Sequence, residues 1–188
     1  VSLKIKFFSF ILIICLIYPI FSSLNSDFKW RYTQDIKLIL NENGLKNYLD
    51  NSNYGAHRNV AKEIFLDNPM FGVGIKNFRF ESAKEKYNDL EHKYNDRRVS
   101  THPHELYYEF LSETGIFGLV CFLIFIISSI FISLKNYIIE KNIYQLSGII
   151  FICISILPII PTGAFLSTMT SSIFWINYAI MIGFNKIK

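Results

Sequence analysis

"TGIFGLVCFLIFIISSIFISL", residues 114–134, contains no charged side chain. A helix needs about 20 consecutive apolar residues to cross the hydrocarbon core of a bilayer, and this run supplies them. Two other runs share the property. Residues 7–24 (FFSFILIICLIYPIFSSL) carry no charge, and neither do residues 146–184, which are long enough for two passes. The chain has 188 residues and is 51% hydrophobic. Its apolar residues gather in these runs instead of spreading evenly, as a soluble core would require. The pattern predicts an all-α polytopic membrane protein with about four transmembrane helices, at about 6–24, 115–134, 145–162 and 167–184. Pro158, Pro161, Gly163 and the small polar run from Ser167 to Ser172 place a tight re-entry between the last two. The first run has a basic start, Lys4 and Lys6, like a signal peptide. It lacks a small-residue cleavage site and is followed by further spans, so it is read as a retained helix.

Basic residues near the span ends set the orientation. Lys4 and Lys6 precede the first span, Lys135 and Lys141 lie between the second and third, and Lys186 and Lys188 follow the fourth. Four spans put all three groups on one side, which the positive-inside rule makes the cytoplasm. Three parts follow: a transmembrane helix over 1–24, one large, partly helical loop outside over 25–114, and three transmembrane helices over 115–188.

That loop holds all five arginines (Arg31, Arg58, Arg79, Arg97, Arg98) and all four histidines (His57, His92, His102, His104). Arginine's planar fork binds phosphate in a bidentate way, so the loop is a candidate site for phosphate or anionic lipid. A solvated surface of mixed charge is the alternative, since eleven acids accompany these bases between residues 25 and 104. Cys15, Cys121 and Cys153 all lie inside the spans, so no disulfide framework holds the loop. Residues 32–50 show weak helical periodicity broken at Asn43-Gly44. From Ala56 an amphipathic helix is predicted, with Val60, Ala61, Ile64 and Phe65 on one face, ending before Asn68-Pro69. "FGVGIKNF" is then a glycine-bearing turn, and the polar segment 81–98 is expected to be a mobile helix or loop.

"STHPHELYYEFLSETG" (residues 100–115) leads into the second span. Pro103 suits a first helical position, which makes His102 the expected N-cap and places His104 in the first turn. The free N–H groups and positive dipole end there attract anions and disfavour a protonated imidazole. His104 is then neutral, as a general base must be. Glu105, Glu109 and Glu113, spaced by four, are expected to form a wet stripe, and Gly115 to end or bend the helix. Three readings of the histidine pair stay open on spacing alone: a metal site, an acid–base catalyst, or an ordinary surface turn.

The stretch "THPHELYYEFLSETGIFGL" resembles the signature of the O-antigen ligase and O-antigen polymerase superfamily, in which a histidine precedes Gly-x-x-Gly by about ten positions at the end of a large periplasmic loop. His104, Gly115 and Gly118 fit that spacing. "RNVAKEIFLDNPMFGVGIKNF" (Arg58 to Phe78) is similar to the family's arginine-led helix running into N-P-x-F-G-x-G, and "PTGAFLSTMTSSIFW" (161–175) to its last periplasmic turn. The resemblance covers about 55–185. The residue after the histidine is Glu105, where the ligases favour Asn or Ser. Family members usually have ten or more spans, so the chain looks like the C-terminal part of a GT-C-like multi-span transferase.

The resemblance implies an inner-membrane glycosyltransferase that takes saccharide from a polyprenyl diphosphate-linked donor to a sugar hydroxyl, with the acceptor deciding the reaction: lipid A core for a ligase, another lipid-linked glycan repeat unit for a polymerase, a protein side chain for a glycoprotein ligase. Membrane lipids are further partners, and no nucleic acid is expected. His104 is the candidate base and Arg58 the main candidate for the diphosphate. Arg79, Arg97 and Arg98 are further substrate-binding candidates, and His102 would position the base. No metal or other cofactor is needed if arginines carry the diphosphate charge. The non-enzymatic alternative is a membrane scaffold or transporter fragment with a large extracytoplasmic loop, whose arginines and histidines would tolerate replacement.

Overall fold

A computed structural model describes Ser23, residues 26–158 and residues 162–185. The expected first span, apart from Ser23, lies outside these residues, as do Lys4, Lys6, Lys186 and Lys188. Every regular element among the described residues is helical. The chain divides into two compact units, Val1–Tyr48 and Leu49–Lys188. The first holds α1 (Ser26–Leu40) and most of α2 (Gly44–Asp50). The turn between them has Asn43 at φ 65°, and the Asn47 amide donates back to the Leu38 carbonyl at 3.2 Å.

The second unit carries the rest of the fold. α3 (Asn53–Asp67) is capped by Ser52, whose hydroxyl accepts from the Gly55 amide at 3.0 Å. Its buried face is Val60, Ala61 and Ile64, and these pack with Phe78 and Tyr87 into one small core. Residues 81–98 are tethered, contrary to the expectation of a mobile segment. The Tyr87 hydroxyl donates to Asp67 at 2.9 Å, His92 Nε2 donates to the Leu49 carbonyl at 2.9 Å, and Asn95 donates to the Tyr87 carbonyl at 3.1 Å. Side-chain bonds, two to backbone carbonyls and one to a carboxylate, replace the helical periodicity that the segment lacks.

After the short helix α4 (Phe78–Glu81) comes α5 (Leu106–Glu140), broken at Gly115 (φ 69°, ψ −173°). From Ile116 onward it rises about 37 Å at the usual pitch, and it is long and apolar enough to cross a membrane. Only 28% of its most apolar window is buried. Phe117, Val120, Ile124, Ile127 and Phe131 point outward at helical spacing, unlike the core helix of a soluble protein. α6 (Ile143–Ser155) and α7 (Thr168–Gly183) are apolar helices in the regions expected as spans at 145–162 and 167–184, but with 13 and 16 residues they are short of an upright crossing. Thus α5 is the one helix of crossing length among the described residues.

α5, α6 and α7 share a core of Leu119, Ile126, Ile149, Ile152, Phe174 and Met181, extended by Leu106, Phe110 and Phe165. At its far end Gln145 is fully buried. It donates to the Met181 carbonyl at 3.1 Å and to Asn185 at 2.8 Å, and accepts from Asn136 at 2.9 Å. Buried amides need such partners in an apolar bundle.

Candidate functional site

The carboxylates expected to face water are buried: Glu105, Glu109 and Glu113 are 9%, 1% and 2% exposed. Spacing by four fixes that they share a face, and the face turns inward. Glu109 accepts from the amides of Phe165 (2.8 Å) and Leu166 (2.9 Å). Glu113 accepts from the amides of Lys76 (2.7 Å) and Phe78 (3.3 Å). One turn of helix therefore grips two loops remote in sequence, and each carboxylate satisfies backbone donors that burial would otherwise orphan.

The glycine turn after α3 docks on the break in α5. The Val73 and Gly74 amides donate to the Ser112 and Glu113 carbonyls, both at 2.9 Å, and the Ile116 and Phe117 amides donate to Pro69 (2.8 Å) and Met70 (3.3 Å). The kink frees these helical groups and the turn takes them up. The approach requires glycine on both sides. A Cβ on Gly72 would lie 2.4 Å from the Glu113 carbonyl carbon, and one on Gly115 would lie 2.3 Å from the Met70 carbonyl.

The helix start differs from the expectation. α5 begins at Leu106 with Glu105 as N-cap, its carboxylate accepting from the Tyr108 amide at 2.9 Å. The cap needs an acceptor, which this carboxylate provides. His102 and His104 precede the helix, and His104 sits in the left-handed region at φ 59°. That conformation costs a residue with a Cβ roughly 1 kcal/mol or more and is held from both sides. The Thr162 amide donates to the His104 carbonyl at 2.9 Å, and the Ser100 hydroxyl lies 3.3 Å from His104 Nε2.

Three imidazoles meet here. His104 is 3.9 Å from His102 and 5.1 Å from His57, centroid to centroid, and Tyr54 packs edge-on at 5.3 Å. His102 has partners for both nitrogens. Nε2 faces the Thr162 carbonyl at 3.4 Å and must donate, leaving Nδ1 to accept from the Thr101 hydroxyl at 2.9 Å. His57 donates from Nε2 to the Arg97 carbonyl at 2.9 Å, so its Nδ1 is a buried acceptor without a partner. His57 is not among the residues that the sequence assigns to the site; its place beside Arg58 on an amphipathic helix is the available signal. Burial lowers all three pKa values. For His104, desolvation, helped by the fields of His102 and His57, brings it down to about 4. The imidazole is therefore neutral at pH 7, through burial and not through the helix dipole.

The arginines are placed differently from one another. Arg58 follows His57 on α3, with its guanidinium 4.9 Å over the Tyr108 ring. It lines a cavity of about 200 Å³ with Asp50, Asn59, Lys62, Glu91 and His92. Arg79 is exposed, and its charge adds to the lowering of His102, after burial. Arg97 is exposed and reaches Asn53 at 3.4 Å. Arg98 is buried, its fork bonded to Asn88 and the Asn95 carbonyl. Arg31 lies where side chains are not described. Among the described residues, no three His, Cys, Asp or Glu side chains are arranged to hold a metal ion.

A helical loop docked on the head of α5 and a buried histidine cluster make a helical protein with a polar site at one end of a helix long and apolar enough to cross a membrane. The O-antigen ligase family matches the chain over residues 2–123. The chain belongs to that family. The match covers the Arg58–Phe78 stretch and the His104–Gly118 stretch, and ends before 161–175. No curated protein and no solved structure matches the chain.

Proposed function

We propose that the chain carries the transfer site of a glycosyltransferase. The donor is a saccharide on a polyprenyl diphosphate, the acceptor is a sugar hydroxyl of a surface polysaccharide, and the site faces the periplasm from the inner membrane. The observation that carries this reading is His104. It is half-buried, neutral and held in a left-handed conformation just before α5, its ring stacked 5.1 Å from His57, which precedes Arg58 on α3.

The chemistry follows from the charges. The leaving group is a lipid diphosphate, so negative charge develops on phosphate oxygens as the anomeric bond breaks. Arg58 presents a guanidinium held by an aromatic face and, among the described residues, by no carboxylate. It can turn its fork to phosphate at little cost. Arg79 and Arg97 are exposed reserves of charge, while Arg98 would first have to release Asn88 and Asn95. The acceptor hydroxyl gives its proton to His104 as its oxygen attacks, which inverts the anomeric centre. An arriving diphosphate favours the imidazolium and lifts the His104 pKa toward the working range. His102, with both nitrogens engaged, positions the loop against Thr162. Neither a metal nor another cofactor enters these steps.

The expected spans 115–134, 145–162 and 167–184 would then be α5, α6 and α7, with α6 and α7 completed by the turn between them. Residues 25–114 form the outside loop. A reporter active only in the periplasm should work when fused after Asn95 and fail after Asn136; the reverse pattern would separate the site from its substrate. Arg58→Lys tests the reading at the site. It keeps the charge and loses the bidentate fork, so transfer should fall at least about tenfold, the loss of one good charge-assisted hydrogen bond. Arg97→Lys should have a smaller effect. Wild-type transfer by Arg58→Lys would reduce that position to a point charge at most, and tolerance of alanine at both Arg58 and His104 would favour a scaffold.

A further inference from the structure

We infer that the turn from Met70 to Phe80 is a membrane-embedded wedge, sunk into the lipid at the head of α5 so that the bilayer itself fixes the height of the histidine cluster. The inference rests on the reading of α5 as a membrane span.

Met70, Phe71, Ile75 and Phe80 are 56%, 70%, 59% and 68% exposed. Four large apolar side chains offered to solvent along the turn and the start of α4 mark an interaction surface. The occupant is identified by what the turn is continuous with. The Phe71 ring packs 6.0 Å from Phe117, which is itself 59% exposed and heads the outward row of Val120, Ile124, Ile127 and Phe131. Through Phe71 the wedge adjoins the upper end of the stripe that a bilayer would cover. Its depth is fixed, because the backbone bonds between Pro69–Gly74 and Ser112–Phe117 hold it level with the break at Gly115, where the uncharged run begins. Lys76 and Arg79, both exposed, interrupt the apolar residues. Long basic side chains reach phosphate headgroups from such a position while the aromatic rings stay in the acyl region. Through the Lys76 and Phe78 amides the wedge holds Glu113, one turn of helix from Glu109. Its embedding therefore sets the level of the loops that position His104.

The test uses tryptophan fluorescence with Trp30 and Trp175 replaced by phenylalanine and single tryptophans introduced as Phe71→Trp, Phe80→Trp, Ile124→Trp and Glu85→Trp. The protein is reconstituted into phosphatidylcholine–phosphatidylglycerol vesicles, with or without lipid brominated near the headgroup end or deep in the chain. Tryptophan at 71 and 80 should lose most of its emission to shallow bromines and little to aqueous iodide. The Glu85→Trp protein should do the opposite, and the Ile124→Trp protein should respond to deep bromines. Iodide quenching at 71 and 80 as strong as at 85 overturns the wedge, and so does protection from both quenchers, which would mean that protein covers the patch. If tryptophan at 124 also escapes the deep bromines, the span itself fails; if only 71 and 80 escape, the span stands and the wedge alone falls.

Discussion

His104→Ala should lower transfer by at least about two orders of magnitude, within the range of about 100- to 10,000-fold that a positioned general base contributes, while binding of the lipid-linked donor is kept. The alanine protein alone would not separate a proton acceptor from a residue that shapes its loop, because position 104 sits at φ 59°. His104→Asn makes that separation. Asparagine tolerates the left-handed region well and offers polar atoms of similar reach, but it cannot take a proton at neutral pH. Both variants should therefore fall alike. Near-normal transfer by His104→Asn would make the role conformational. The pH profile is a further readout. The free site holds His104 neutral down to about 4, so kcat/KM should stay level as pH falls through 6.5 and drop only as the imidazole is protonated near 4. An acid limb at the ordinary histidine value would point to a different base.

Gly115→Ala should be the most damaging of the small substitutions. At φ 69° and ψ −173° the residue occupies a region essentially reserved for glycine, which costs other residues about 1–3 kcal/mol. The added methyl would also lie 2.3 Å from the Met70 carbonyl and 2.5 Å from the Phe71 amide. That backbone cannot retreat without giving up hydrogen bonds between the turn and the helix break, each worth about 1 kcal/mol. A loss of roughly 3 kcal/mol or more is expected, a large share of the 5–15 kcal/mol typical of a folded domain. It should appear as a lower unfolding temperature in detergent and faster proteolysis within 69–80. Gly183→Ala is the matched control, since a Cβ there meets nothing within 4 Å. Equal stability of the two variants would mean that the turn and the helix break do not meet as described.

The readable parts of this fold were those in which one physical signal acts alone. Absence of charge over residues 114–134 marked α5, and the apolar spacing of Val60, Ala61 and Ile64 marked the buried face of α3. Gly115 was legible as a break from its place where the uncharged run begins, although Gly118 and Gly148 stand inside unbroken helix. The glutamate stripe was misjudged because periodicity says which residues share a face and nothing about what covers it. Here the covers are amides 35 to 57 residues away. The helix start was misjudged for a related reason. Pro103 is compatible with a first turn, but the tie between Thr162 and the His104 carbonyl holds the chain out of the helix until Glu105. The neutral state of His104 was anticipated from a helix dipole and arises from burial among His57, His102 and Tyr54. The place of His57 beside Arg58 on an amphipathic helix signals a candidate, but nothing in the sequence says that α3 turns it toward His104, far along the chain.

The reading of this chain as the transfer site of a glycosyltransferase is tested most directly by the stoichiometry of the reaction. The full-length protein, reconstituted with polyprenyl diphosphate-linked saccharide and a saccharide acceptor as sole substrates and with chelator present, should release one polyprenyl diphosphate for each glycosidic bond formed, and His104→Asn should stop both together. Glycan formed without release of the lipid diphosphate, or release that continues unchanged in His104→Asn, would contradict it.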